Sequence, residues 1–313
     1  MKSKKPLVKG VKSAMPRDIA PMEMKSGEEA FNDKDWIYEV KWDGFRCIAY
    51  CDGKNVELKS KNNNLFNKKF SSISLELPEL NLRAVLDGEI VMMGSNGRPN
   101  FDKMIYTHQD GLLVYYVFDL LWYNGYDLRN VPLIARRKIL KAILPKSGAI
   151  RFSEHFSGEK GKELYELAIK HKLEGIVAKR KNSIYKSNFR TDSWLKIKTG
   201  ELVEAFVAGY VLDLDNPGYS SILIGREAEK GFQFLGAVGT GVTTKTREKI
   251  FAEKSISKSI FKPEPKVNRK TPFSNPIKNP KIVWIKPTLR CKVKYLELDK
   301  SGIMRHPSFK GLL

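Results

Sequence analysis

The sequence predicts an α+β fold made of two domains, and three observations support this prediction. The chain has 313 residues, which is long for one hydrophobic core and suits two domains of roughly 100 to 200 residues each. Before about residue 201, strand-like apolar runs alternate with two helical patterns. After that point, short strand-like runs separated by glycines take over. We therefore expect a basic flexible tail at 1–14, a mixed domain at 15–200 and a small β-domain at 201–313.

The composition indicates a folded protein with a polyanionic partner. Hydrophobic residues make up 42% of the chain, and 56 Lys and Arg against 35 Asp and Glu give a formal net charge of +21. Nucleic acid is the favoured partner, because basic residues also interleave with aromatic and turn residues over Lys59 to Phe70. A lysine-rich composition without such a partner is the alternative explanation of the charge.

The cysteines and the apolar runs bear on the cellular setting. Cys47 and Cys51 would lie about 13 Å apart along a strand and Cys291 stands alone, so we expect neither a disulfide nor a zinc site. The sequence contains no signal peptide and no apolar run of membrane length. We expect a monomeric cytoplasmic protein that associates with the nucleoid.

The first domain begins with elements that surround one lysine. Glu28 to Phe31 predicts a short helix, and the aromatic and β-branched run Trp36 to Val40 predicts a strand. Asp43-Gly44 predicts a chain reversal directly after this strand. Lys41 is therefore expected at a strand end, on a short and rigid loop.

Further strands and two helices complete this domain. Phe45 to Tyr50 and Asn55 to Ser60 predict a hairpin with its turn at Asp52-Gly53, so that Lys41 would open an antiparallel sheet. The later predicted elements are strands at Leu82 to Met93 and Leu112 to Trp122, helices at Pro132 to Leu144 and Gly161 to His171, and strands at Ile176 to Lys179 and Trp194 to Lys198.

The second domain is predicted to be a small barrel. Its elements are strands at Glu204 to Leu214, Ser220 to Arg226 and Phe232 to Gly239, a helix from Thr243 to about Lys254, a loop at Lys262 to Lys281, and strands at Ile282 to Lys286 and Cys291 to Leu298. Five short strands with one intervening helix suggest an OB-type barrel, a fold that holds nucleic acid strands.

Lys41 is the candidate nucleophile. An amine beside Glu39, Asp43 and Arg46 can attack phosphorus or carbonyl carbon once it loses its proton. A reference lysine pKa of about 10.4 leaves roughly one amine in a few thousand neutral at pH 7, so burial or nearby cations must help. An exposed hairpin turn with a solvated lysine is the alternative that the short motif K-x-D-G-x-R leaves open.

Five motifs in order point to one family. They are E39-V-K41-W-D43-G44-F-R46, L86-D87-G88-E89, V117-F118-D119-L120, E174-G175-I-V-A-K179 and W194-L-K196-I-K198. This set resembles that of the ATP-dependent DNA ligases, which are covalent nucleotidyltransferases, and most of all the ligase module of bacterial end-joining ligase D. The resemblance extends from Met15 to Phe309 and implies an adenylation domain followed by an OB-fold.

The resemblance and the chemistry of the residues together assign the site. Lys41 would form a lysyl-AMP intermediate with ATP, and Glu89 and Glu174 are hard oxygen ligands suited to Mg²⁺ or Mn²⁺. Lys196 and Lys198 lie two apart on a strand and would neutralise the α-phosphate from one face.

The resemblance further places Phe118 against the adenine ring and Glu39 near the base, and gives Arg46 a contact with the ribose or the 5′-phosphate of the nick. Asp87 and Asp119 would support the site from behind. Lys61, where the family usually has arginine, would contact DNA with charge but without the planar fork.

The expected activity is sealing of 5′-phosphate/3′-hydroxyl nicks or ends in double-stranded DNA, in repair or end joining. A Ku-like end-binding protein, polymerases and nucleases are possible partners. The alternatives are an RNA ligase or capping-type nucleotidyltransferase, and a non-catalytic nucleic-acid binding module. The family continues past Leu312 into Arg-x-Asp-Lys, which meets the outgoing pyrophosphate. Because the sequence ends at Leu313, slow self-adenylylation is an expectation, unless Arg305 or Lys310 substitutes.

Overall fold

The structure is a computed structural model that describes residues 10–95, 97, 99, 111–216, 220–229, 231–268, 276–299 and 301–313. The chain divides into two compact units, Met1–Thr199 and Gly200–Leu313. This division falls beside the expected domain boundary at about residue 201.

The first unit combines two β-sheets with three helices among its described residues. Its strands are β1 Val11–Lys12, β2 Glu23–Ser26, β3 Trp36–Val40, β4 Phe45–Asp52, β5 Asn55–Ser60, β6 Arg83–Met93, β7 Leu112–Tyr123, β8 Tyr126–Asp127, β9 Ile150–Phe152, β10 His155–Phe156, β11 Gly175–Arg180 and β12 Arg190–Lys198. The α-helices are α1 Ser71–Glu76, α2 Leu133–Ile143 and α3 Gly161–Lys170, with 3₁₀ turns at Leu77–Leu80 and Gly158–Lys160.

The two sheets of this unit meet at the predicted nucleophile. One sheet has the order β1-β8-β7-β6-β4-β5 with β9 beside β7, and the other has the order β10-β3-β11-β12-β2. Strand β3 therefore ends in one sheet and β4 begins in the other, so the expectation that Lys41 opens the hairpin sheet is wrong. The chain can cross here because Gly44 lies against β6, where a Cβ would come within 2.2 Å of the carbonyl oxygen of Ile90.

Apolar side chains from both faces of the strands form the cores that hold this crossing in place. The largest core lies between the β4-β6-β7 region and helices α1 and α2, with Leu86, Tyr115 and Leu140 fully buried. A second core, which includes Trp36 and Tyr38, packs helix α3 on the smaller sheet. The hydrophobic effect thus fixes β3 on one side and β4 on the other, and the short segment between them carries Lys41.

The second unit is a barrel-like sheet built around one long strand. Its described elements are β13 Glu201–Asp213, β14 Ser220–Ala228, β15 Gly231–Val238, α4 Thr244–Phe251, β16 Ser255–Ile256, β17 Pro280–Ile285, β18 Arg290–Tyr295, β19 Glu297–Leu298, β20 Met304–Arg305 and β21 Ser308–Leu312. The first half of β13 pairs with β18, while its second half pairs with β14 and β17. One strand shared in this way is typical of a partly open, five-stranded OB-type barrel.

Two local expectations are wrong. Glu28 to Phe31 forms no helix, because four residues cannot offset the cost of helix nucleation and Phe31 instead packs edge-on against Trp36, with ring centroids 5.2 Å apart. The expected tail is not free throughout, since Val11–Lys12 pairs with Tyr126–Asp127. Residues 1–9 lie outside the described residues.

Within the part of the chain that the structure describes, no helix is long and apolar enough to cross a membrane.

Candidate active site

Lys41 lies at the end of β3, in a cleft of about 400 Å³. Its backbone N–H donates to the carbonyl oxygen of Gly175 at 2.9 Å, which continues the pairing of β3 with β11 by one residue. The cleft is lined by Met24, Glu39, Val40, Lys41, Trp42, Arg46, Glu89, Phe118, Val177, Lys179 and Trp194. Five of the predicted site residues line this cleft.

The Lys41 ammonium donates a short hydrogen bond to Glu174 Oε2, and Lys198 Nζ lies 3.2 Å from Glu174 Oε1. The Glu174 carboxylate is therefore shared by two lysines. Burial acts to lower the pKa of Lys41, but the charge and the hydrogen bond of Glu174 outweigh it and hold this pKa above its ordinary value. The contacts with Glu174 therefore favour the protonated form of Lys41.

Lys196 and Lys198 reach this region from β12. Lys198 is the register partner of Gly175 and Lys196 of Val177, so both lysines project from the same face beside β11. Burial, followed by the charges of Lys198 and Lys41, lowers the pKa of Lys196. Several cations are thus crowded near one carboxylate, an arrangement that favours an anionic ligand.

Glu89 lies across the cleft on β6, as the register partner of Arg46. Burial raises the pKa of Glu89 to about 8, against the opposing charges of Lys41 and Arg46, and the Glu174 charge raises it further. No described residue donates a hydrogen bond to its carboxylate. A carboxylate in such a position gains most from a cation.

The carboxylates fit a divalent cation that the protein shares with phosphates. Among the described residues, no group of three or more His, Cys, Asp or Glu side chains is arranged to hold a metal ion by itself. Mg²⁺ is commonly bound by one or two carboxylates together with substrate phosphates and water. Glu89 and Glu174 supply two such carboxylates near Lys41, with Glu89 lining the cleft and Glu174 hydrogen-bonded to the lysine.

Glu39 lies at the back of the cleft and is 2% exposed. Its carboxylate contacts three donors, of which Arg137 and Ser153 belong to none of the five sequence motifs. Its Oε1 accepts from Arg137 at 2.9 Å and lies 2.8 Å from Lys179 Nζ. Its Oε2 accepts from Ser153 Oγ at 3.2 Å. These partners offset the cost of burying the carboxylate and fix its orientation.

Lys179 is a further residue of the cleft without an assigned role. Its Nζ lies 4.3 Å from the ring centroid of Phe118 and 4.3 Å from that of Trp194. Burial lowers the pKa of Lys179 to about 8, and the charge of Arg137 adds to this effect while Glu39 opposes it. The motif E174-G175-I-V-A-K179 already contains this lysine. The available sequence signal was the alternation of side chains along β11, which places Lys179 on the same face as Val177.

Arg46 is held beneath Phe118 by a two-point contact. Its Nε and one terminal nitrogen donate to the two oxygens of Asp87 at 2.9 and 2.6 Å. Tyr185 Oη donates to the same carboxylate at 2.7 Å. The guanidinium carbon lies 5.3 Å from the Phe118 ring centroid. Asp87 therefore orients Arg46 toward the cleft, as the supporting role predicted for it requires.

Asp119 of β7 and Arg136 of α2 form a buried ion pair. Both side chains are 0% exposed, and Arg136 donates to the two Asp119 oxygens at 2.7 Å each. This pair ties helix α2 to β7, which carries Phe118. Asp119 thus supports the cleft without lining it.

Trp42 and Tyr116 form a stacked pair at the mouth of the cleft. Their ring centroids are 3.7 Å apart with an interplanar angle of 7°. Trp42 Nε1 also donates to Ser153 Oγ at 3.1 Å, which connects the residue after Lys41 to the Glu39 set. Sequence motifs do not indicate this stack, since Trp42 lies in the segment between β3 and β4 and Tyr116 lies 74 positions later in β7.

Lys61 is the one predicted site residue on a separate surface. It is exposed in the loop that follows β5, outside the cleft lining. The other predicted residues either line the cleft or contact Glu174 and its neighbours.

Comparison with protein families decides the classification. A family model described as "ATP dependent DNA ligase domain" matches residues 21–198, more than half of the chain. The chain belongs to the ATP-dependent DNA ligase family. A second model, "ATP dependent DNA ligase C terminal region", matches residues 215–312. The predicted membership of this ligase family and the predicted fold class, with its C-terminal OB-type domain, are confirmed.

Individual relatives agree with this ligase family. The chain is 31% identical over 316 residues to "Multifunctional non-homologous end joining protein LigD" of Mycolicibacterium smegmatis, covering 97% of this chain and 40% of that protein. The chain thus spans less than half the length of this relative. It is 28% identical to "SPbeta prophage-derived DNA ligase-like protein LigB" of Bacillus subtilis, covering 94% of this chain and 98% of that protein.

A solved structure extends the likeness to three dimensions. The structure described as "mycobacterial DNA ligase D complexed with ATP and MES" matches with a TM-score of 0.57 and 29% identity, covering 94% of this chain and 95% of that chain.

Proposed function

We propose that this member of the ligase family is an ATP-dependent DNA ligase that seals 5′-phosphate/3′-hydroxyl breaks through a lysyl-AMP intermediate on Lys41. The observation that carries the proposal is the position of Lys41 in the cleft, hydrogen-bonded to Glu174, with Lys198 on the same carboxylate. A merely solvated turn lysine would not have this surrounding.

In the first step, the neutral amine of Lys41 attacks the α-phosphorus of ATP. An N–P bond forms, the P–O bond to pyrophosphate breaks, and pyrophosphate leaves with its electrons. The ammonium must first lose a proton to water, and Lys196 and Lys198 favour this loss because nearby cations destabilise a charged amine. The same cations neutralise charge on the α-phosphate, so the site acts mainly through positioning and electrostatics.

A divalent cation belongs to the same proposal. Glu89 and Glu174 would hold Mg²⁺ or Mn²⁺, which supplies positive charge beside the phosphates when bound. A cation at this position would also oppose the effect of burial, which raises the pKa of Glu89.

The base and the ribose would occupy the inner part of the cleft. Phe118 offers a ring face for adenine, and Glu39, held by Arg137 and Lys179, offers a fixed acceptor for a base amino group. Arg46, oriented by Asp87, would bind the ribose and later the 5′-phosphate of the nick.

The second step transfers AMP to the DNA, and the third step seals the break. A 5′-phosphate oxygen attacks the phosphorus of lysyl-AMP and releases Lys41, and the 3′-hydroxyl then displaces AMP to form the phosphodiester. Basic residues outside the cleft, Lys61 among them, would contact the DNA backbone.

End joining is the proposed cellular role, because the M. smegmatis relative is described as an end-joining protein. A Ku-like end-binding protein, polymerases and nucleases are the proposed partners. We further propose a monomeric state, a cytoplasmic location and association with the nucleoid, where a DNA substrate would lie.

The proposal is tested by incubating the chain with labelled ATP or GTP and then with nicked duplexes that contain DNA or RNA strands. A ligase of the proposed type forms an adduct with ATP and seals the DNA nick. Adduct formation with GTP would indicate a capping-type enzyme, sealing only of RNA would indicate an RNA ligase, and no adduct would leave only a binding function.

A further inference from the structure

A basic loop at residues 61–69 displays a leucine to solvent. Leu65 is 68% exposed, and the neighbouring Lys61, Asn62, Asn63 and Asn64 are exposed as well. A single exposed leucine is ordinary on a protein surface. Its position in a lysine- and asparagine-rich loop, where its backbone bridges to Lys59 of β5, is the unusual feature.

The loop is held by hydrogen bonds rather than left free. Ser60 Oγ accepts from the backbone N–H groups of Asn62 and Asn64, at 3.2 and 3.0 Å. Asn67 Oδ1 accepts from the backbone N–H of Leu58 at 2.9 Å. Leu65 is therefore presented on an ordered backbone, so binding through it requires little further ordering of the loop.

The base of the loop is packed on the active-site motif. The rings of Phe66 and Phe70 lie 5.9 and 5.8 Å from the ring of Phe45, measured between centroids. Lys69 Nζ lies 3.6 Å from the Phe45 ring centroid. Phe45 directly precedes Arg46 in the chain, so the loop and the nucleotide cleft are held together.

The charge of the loop selects its partner. Residues 61–69 contain three lysines and no acidic residue. Within the described part of the chain, neither Lys61 nor Lys68 forms an ion pair. A loop that exposes one apolar side chain together with Lys61 and Lys68 suits a polyanion with a groove, whereas an apolar protein surface would leave these lysines desolvated.

We propose that the basic loop binds the minor groove of the duplex that carries the break, with Leu65 as a wedge at a base step and Lys61 and Lys68 on flanking phosphates. This inference rests on the proposed function, which makes DNA the substrate. Minor-groove proteins commonly combine lysine and asparagine side chains with one apolar wedge, and they unstack and bend the duplex where the wedge enters.

The leucine is tested by substitution in the full chain. Leu65→Ala should weaken binding to a nicked duplex by about tenfold, since a buried leucine side chain is lost, while Leu65→Met should retain most of the affinity. Leu75→Ala is the matched control, because Leu75 is 75% exposed but lies outside the loop on α1. Equal affinity of the Leu65→Ala variant and the wild-type chain would overturn the proposal.

The lysines are tested by salt dependence. Lys61→Ala and Lys68→Ala should each reduce the slope of log affinity against log salt by roughly 0.9, whereas Leu65→Ala should leave the slope unchanged. Lys170→Ala, an exposed lysine on α3, should alter neither quantity. Unchanged slopes for both loop lysines would contradict the phosphate contacts.

The groove is tested with altered bases. A 2-aminopurine beside the nick should brighten on binding the wild-type chain but not the Leu65→Ala variant, because unstacking relieves quenching. Replacing guanosine by inosine removes only the minor-groove amino group and should change the affinity of the wild-type chain alone. No response to inosine would overturn the minor-groove placement.

Adduct formation with ATP distinguishes this inference from the proposed function. Leu65→Ala and Lys68→Ala should form lysyl-AMP at the wild-type rate, since neither residue lines the cleft. A wild-type chain that forms no adduct refutes the ligase proposal, whereas normal adducts with unaltered DNA binding by Leu65→Ala refute the wedge.

Discussion

Replacing Lys179 with Met should change how stability depends on pH. The amine is 2% exposed, between two aromatic rings and Glu39. Its pKa falls from 10.5 to about 8 on folding. A shift of this size corresponds to about 3 kcal/mol of net cost for keeping the ammonium charged inside the protein.

The sign follows from proton binding. Below pH 8, Lys179 is charged in both the folded and the unfolded chain, and the cost is fully present. Between about pH 8 and 10.5, the unfolded chain keeps the proton that the folded chain loses, so the free energy of unfolding rises with pH through this group. The wild-type chain should therefore gain up to about 3 kcal/mol relative to Lys179→Met across this window.

Urea denaturation at pH 7, 8, 9 and 10 measures this difference. Tryptophan fluorescence is a suitable signal, because four of the five tryptophans lie before residue 200. Lys170→Met, which removes an exposed lysine, controls for the general effect of charge. Wild-type and Lys179→Met profiles that run parallel between pH 8 and 10 would refute the argument that burial depresses this pKa.

Three further predictions concern other parts of the molecule. Asp119→Ala leaves the fully buried Arg136 charge without its carboxylate and should lower the free energy of unfolding by about 3 to 5 kcal/mol in the same assay; a loss below 1 kcal/mol would contradict the buried pair. Phe118→Leu should raise the KM for ATP in adduct formation by roughly three- to tenfold, with little change in the maximal rate, if the ring stacks on adenine. The affinity for nicked duplex should fall log-linearly with salt, by roughly 0.9 log units per phosphate contact and decade of salt, and a flat dependence would exclude the basic surface as the DNA site.

Much of the fold follows from local pattern. The runs from Leu82 to Met93 and Leu112 to Trp122 were expected as strands and form β6 and β7, and the helical periodicity after Pro132 yields α2. Strands β6 and β7 are long and buried on both faces, which fits their near-continuous apolar runs, and α2 buries one face, so pattern and packing agree. The partition of β3 and β4 between two sheets could not be predicted, because it depends on which distant strands pair with each.

The residues of the site also divide into those that the sequence predicts and those that it does not. Lys41, Glu89 and Glu174 belong to short motifs, which mark residues by chemistry and order. Arg137 belongs to none, since it is separated from Glu39 by 98 positions, and an arginine on an amphipathic helix indicates a solvated side chain. Only the packing of α2 behind the cleft turns this arginine inward.

The central claim is that Lys41 carries the nucleotide, and mass spectrometry of the chain after incubation with ATP and Mg²⁺ tests it most directly. The account predicts a mass increase of one AMP, located on the peptide that contains Lys41. The increase should be absent in Lys41→Arg, whose guanidinium stays protonated. An AMP adduct on another residue, or adduct formation by the Lys41→Arg variant, would contradict the account.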